Sequence, residues 1–133
     1  MNLLGVTVDG ATYRVRIVYD TYVESVELIE GPLAGDMESG RHERDLKGAA
    51  ATYEMTVEPD PRYPADYDNL WTLLRSPEPS HSVTVYENQG TLTYDAQIQA
   101  IQRTYAGELG GRKRWKGMTL SFVPQTPQWR TST

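Results

Sequence analysis

"TLTYDAQIQAIQRTY", Thr91 to Tyr105, is the longest stretch of alternation in the chain. Leu92, Tyr94, Ala96, Ile98 and Ala100 fall on one face, and Thr93, Asp95, Gln97 and Gln99 on the other. An extended backbone sends successive side chains to opposite sides. The stretch therefore reads as one long strand with a buried and a wetter face, as in antiparallel sheets.

The same period governs the segments around it. "TYRVRIV" places Tyr13, Val15 and Ile17 together against Arg14 and Arg16, and "TYEMTVE" sets Tyr53, Met55 and Val57 against Glu54, Thr56 and Glu58. "WKGMTLSFV" groups Met118, Leu120 and Phe122. Turn chemistry separates these runs. Asp9-Gly10 joins Val6–Val8 to Tyr13–Ile17, "ENQGT" joins Val83–Tyr86 to the long strand, and Gly107–Gly111 joins that strand to the last one. Several short strands so connected predict an antiparallel β-sandwich or barrel-like domain, mainly β, spanning 1–133 as a single unit.

Two segments leave the pattern. From Ala65 to Ser76, Tyr67, Leu70, Trp71 and Leu74 follow the i, i+3, i+4, i+7 spacing of an amphipathic helix. Pro64 precedes it, Asp66 and Asp68 occupy the first turn where the helix dipole favours negative charge, Arg75 lies in the last turn, and Pro77 stops it. One flanking helix over residues 65–76 is predicted, fastened to the sheet by Leu70, Trp71 and Leu74. With Tyr94, Ile98, Leu120 and Phe122 these residues make the expected core. The second segment, "GPLAGDMESGRHERDLKG" from Gly31 to Gly48, reads as one long charged loop.

Composition narrows the chemistry. The 133 residues carry a formal charge of −5, which works against non-specific affinity for nucleic acid or anionic membrane. There is no cysteine, so disulfides, thiolate catalysis and cysteine-based zinc sites are excluded. No apolar run approaches a transmembrane length, and the opening "MNLLGVTVDG" has no signal-peptide pattern, so a soluble protein without an export signal is expected. Nine tyrosines against one phenylalanine suit strands whose rings are apolar on one side and wet on the other.

Asp66, Asp68 and His81 are the only grouping with catalytic or metal-binding appeal, since a carboxylate and an imidazole serve as acid, base or ligand. The aspartates are already explained as helix-start residues, and His81 opens a strand where an exposed or singly bonded histidine is ordinary. No nucleotide-binding loop or nucleophile elbow is present. The expectation is no enzyme, no cofactor, no metal and no small-molecule substrate. "GGRKRWKG" could stack a single-stranded base on Trp115, but Arg112, Lys113 and Arg114 are better read as a subunit contact. Arg41, His42, Arg44 and Lys47 in the charged loop are the other candidate interface residues, suited to inter-subunit salt bridges.

Across nearly its whole length the chain resembles small tail-module proteins of tailed bacteriophages and prophages, chiefly from Gram-positive hosts. The resemblance is carried by "VTVDGATYRVRIV", "RHERDLKG", "YDNLWTLLRSPEPSHSVTV", "GTLTYDAQI" and "WKGMTLSFVPQTP". It implies a virion structural or assembly role, like that of tail tube and distal-tail proteins. Such a chain would be made in the bacterial host cytoplasm and placed in the virion tail. Its partners would be itself, in a ring of the often hexameric kind such proteins form, and other tail proteins. The alternative from a different class is a free-standing module binding a glycan or peptide through exposed tyrosines.

Overall fold

The computed structural model describes residues 4–30, 35–36, 42–43 and 46–130. The strands are β1 (Leu4–Val8), β2 (Ala11–Ile17), β3 (Val23–Glu30), the two-residue β4 (Gly35–Asp36) and β5 (His42–Glu43), and β6 (Leu46–Pro59). After helix α1 (Pro64–Leu74) come β7 (His81–Glu87), β8 (Gly90–Gln97), β9 (Gln102–Leu109), β10 (Arg112–Pro124) and β11 (Trp129–Arg130).

Six strands close into an antiparallel barrel in the order β6-β2-β1-β7-β8-β10, with β10 returning to β6. Closure depends on two strands long enough to serve twice. β6 has 14 residues: its first half carries β3, its middle carries β10, and its end meets β2. β10 has 13: its first part carries β9, and Met118–Phe122 ladder onto β6. Strands β3 and β9 therefore run outside the ring as two arms. Two seams of the ring are short, with two residue pairs joining β1 to β7 and two joining β8 to β10.

The alternation seen in the sequence is the inward face of this barrel. Tyr53, Met55 and Val57 of β6 are buried, as are Met118, Leu120 and Phe122 of β10 and Val83 and Val85 of β7. Removing that much apolar surface from water supplies the main driving force for closure. The tyrosines explain themselves here. Tyr53 packs between Tyr22 and Tyr94 at centroid distances of 6.1 and 6.0 Å. Each hydroxyl finds a partner at the barrel rim: Tyr53 donates to Glu24 (2.5 Å) and Tyr94 to the Phe122 carbonyl (3.0 Å). Burial pushes the phenol of Tyr94 up, as it does that of Tyr53, and raises Tyr22 to about 12, so all three stay protonated donors.

The turns have the expected chemistry. Asp9 and Gly10 take φ of 52 and 81, and Gly110 and Gly111 take 60 and 79, the positive values of two-residue hairpins. Gly5 is needed for a closer reason. At φ 105 it sits in a β1 bulge, where a Cβ would lie 2.8 Å from the Tyr13 carbonyl oxygen.

Several expectations change. The helix ends at Leu74 rather than Ser76, and Arg75 is its cap residue, its N–H bonding the Trp71 carbonyl while the Ser76 N–H bonds that of Leu73. Leu70 and Leu74 are buried together with Tyr67, but Trp71 is only half-buried, as are Tyr94 and Ile98. The long strand is broken at Ile98–Ile101 into β8 and β9, although both parts face β10 in nearly one register. Gln97 pairs with Val123 and Gln102 with Thr119, so five steps oppose four and one residue is looped out. The charged loop is shorter than Gly31–Gly48, because Leu46–Gly48 already belong to β6 and pair with β3. Strand β3, which no alternation announced, is the largest addition.

Candidate interaction surfaces

The grouping of Asp66, Asp68 and His81 is not assembled. Asp66 turns to β2, accepting from the Arg14 backbone N–H (2.8 Å) and Nε (3.1 Å). Those contacts hold its carboxyl below the usual 3.8. Asp68 pairs with Arg103 of β9 at 3.2 Å. His81 is not exposed, being only 3% accessible, and its Nδ1 meets Asp9 of the first hairpin at 2.8 Å. The same carboxylate accepts the Ser82 N–H at 2.9 Å, and the His81 bond is the main reason its pKa is lowered. The His81 Nε2 is buried without a partner among the described residues. The imidazole joins β7 to the β1–β2 turn. No cluster of three potential metal ligands occurs among the described residues.

A different constellation gathers around Arg103. Its guanidinium lies 4.0 Å from the Trp115 ring centre, 4.4 Å from Trp71 and 5.8 Å from Tyr67, with Asp68 closing one side. A planar cation between indole faces is held by the ring quadrupoles and by stacking. Tyr67 is held from the other direction, donating its hydroxyl to the Lys116 carbonyl at 2.7 Å. Tyr105 packs edge-on against Trp115 at 5.2 Å. Helix α1 and the β9–β10 arm are thereby locked together. Trp71, expected as a core anchor, and Trp115 are walls of this cage.

Between the helix start and the arm lies an open cleft of about 720 Å³. Pro59, Asp60, Pro64 and Tyr67 form one wall, and Leu109, Arg112, Lys113, Arg114 and Trp115 the other. Its acidic groups are already matched: Glu58 to Arg16, Asp60 to Arg62 and Asp68 to Arg103. Lys113 reaches Glu108 at 3.6 Å. Among the described residues, Arg112 and Arg114 have no carboxylate within ion-pair distance, which leaves the cleft wall positive.

The second surface is the wing made by β3, the first half of β6 and β11. Cross-strand partners share a face. Tyr53, Ala51 and Ala49 continue the inward side of β6 beyond the barrel, opposite Glu24, Val26 and Leu28, and Trp129 lies opposite Ala49. Val26 (53%), Leu28 (49%) and Trp129 (38%) are exposed there, while Tyr53 and Ala51 on the same face are buried, so apolar side chains reach solvent at the margin of the wing. Among the described residues β3 pairs with β6 alone and β9 with β10 alone, which makes both edge strands. Other openings in the sheet are closed by side chains that imitate a neighbouring strand. Tyr22 Oη accepts the Tyr86 N–H (2.8 Å) and donates to its carbonyl (3.0 Å). The Gln128 amide does the same for Ala51 at 2.9 and 2.8 Å.

Of the candidate interface residues, Arg112, Lys113 and Arg114 are exposed on the β10 arm. Arg41 and Arg44 lie outside the described residues, and for His42 and Lys47 only the backbones are described, in β5 and β6. Sequence reasoning missed Arg103 and the β3 edge. Comparison with known proteins finds no matching family model and no matching curated protein.

Proposed function

We propose that the chain is a structural, non-enzymatic component of a bacteriophage or prophage tail, acting through ring-type contacts between copies and with other tail proteins. The observation that supports this most is the pair of strands running past a closed barrel. An isolated binding domain gains nothing from long unprotected edges, which invite pairing with other chains. An assembly subunit needs them. The two arms also differ from one another, as head-to-tail contacts require. The test is to induce the source lysogen, purify particles by density gradient and search their tails by mass spectrometry. The chain should accompany the other tail proteins; its absence from particles that contain them overturns the reading.

A second reading, a monomeric module for a glycan or peptide, draws on the exposed rings of Tyr19, Tyr86 and Tyr105. It predicts a ligand-dependent rise in melting temperature. The three rings belong to different elements and form no common platform by any stacking contact among the described residues, which favours the assembly reading.

A further inference from the structure

We infer that the cleft beside α1 receives the β3 edge of a second copy of the chain, joining subunits head to tail. The inference deepens the assembly reading above and rests on it for self-association being what the arms are for. Three observations carry it. The first is charge: β3 reads "VESVELIE", with acidic residues and no basic one, whereas the cleft wall presents Arg112 and Arg114 without acidic partners among the described residues. The second is polarity of surface. Val26 and Leu28 are exposed on one face of β3 and Glu27 on the other, so an edge seated between the two cleft walls brings both to them, and Leu109 is 65% exposed at the cleft beside Trp115. The third is position. Ala51, opposite Val26, and Pro59, at the cleft, lie on the same strand, roughly 26 Å apart at 3.3 Å per residue. A chain's own wing therefore lies too far from its own cleft to fill it, and the complementary surfaces meet only between copies. Such a contact is heterologous: every subunit offers one wing and one cleft, so association continues past a dimer until a ring closes.

The experiment uses charge reversal on side chains exposed on the monomer. Wild-type chain, Glu27→Arg, and Arg112→Glu/Arg114→Glu are followed by sedimentation velocity over a concentration series at low salt, with circular dichroism as a fold check. Wild type should grow beyond a dimer, and each variant alone should associate at least tenfold more weakly because like charges now face one another. Mixing the two variants should restore association, since the reversed wing of one meets the reversed cleft of the other while the untouched pair also matches. If the mixture is no better than its parts, the pairing is wrong, although self-association by wild type would leave the assembly reading intact. A wild type that stays monomeric throughout also overturns the pairing, and the particle experiment then judges the assembly reading separately.

Discussion

Arg103 illustrates how much of this protein is decided by single side chains that join distant segments. Its ion-pair partner, Asp68, is 35 residues away, and Asp66 finds Arg14 at a separation of 52. Both aspartates look in the sequence like ordinary helix-start charges, but only Asp66 lies in the first turn, where the dipole argument applies. Nothing in local spacing reveals a partner on another strand, so these contacts were illegible. Replacing Arg103 by alanine should cost about 2 kcal/mol in urea unfolding, a cation–π and charge-assisted bond together, and lysine should recover only part. Trp71→Ala should also cost about 2 kcal/mol, below the roughly 3–5 of a fully buried aromatic, because the indole is half-buried. A cost within that range would place Trp71 in the core after all. Acid should act through the same carboxylates. Asp9, Asp60 and Asp66 all lie below their ordinary 3.8 in the folded chain, through bonds to His81, Arg62 and Arg14. The unfolded chain then binds more protons, so their contribution is full above about pH 5 and lost as pH falls through the folded values. Denaturant midpoints against pH should show that limb, and Asp66→Asn should make it shallower; superimposable limbs would remove Asp66 from the account.

At the level of elements, the strands of the barrel were readable because one face of each is buried, and burial imposes period two. β3 was not, for the converse reason. Val23 through Leu28 are all exposed, so no core constrains their alternation, and the glutamates in "VESVELIE" obscure what pattern remains. The break at Ile98–Ile101 was equally hidden, because looping out one residue leaves apolar residues on both sides of the gap. Glycine gives the sharpest test at this scale. Gly5→Ala must accommodate a Cβ at 2.8 Å from a backbone oxygen and a positive φ, and should destabilise by about 2–3 kcal/mol in thermal or chemical melts. Gly10→Ala meets no neighbour within 4 Å and carries only the φ strain, so it should cost less. Tyr67→Phe removes the one bond from α1 to the Lys116 carbonyl and should cost about 1–2 kcal/mol in urea unfolding while leaving far-ultraviolet circular dichroism unchanged.

Over the whole molecule, the barrel supplies rigidity and the arms supply surface. Val26→Thr with Leu28→Thr should leave monomer unfolding within about 0.5 kcal/mol of wild type, as substitutions at exposed sites do, yet lower the mass seen by light scattering at high concentration. The two short seams have a further consequence. Both flank the β7–β8 hairpin, which is itself held by seven residue pairs but is tied to β1 and to β10 by only two ladder pairs each, with the Asp9 bonds to His81 and Ser82 and the Gln125–Asp95 bond at their ends. Local opening follows the fewest bonds, so this hairpin should swing as one stave while its own ladder stays closed. In hydrogen exchange the amides facing the seams would then share a single opening free energy, lower than that of the β6–β10 ladder. The Tyr22 hydroxyl, clasped to Tyr86, acts as the hasp on that door. A Tyr22→Phe chain should breathe there more often, with no change in the shape of its closed barrel.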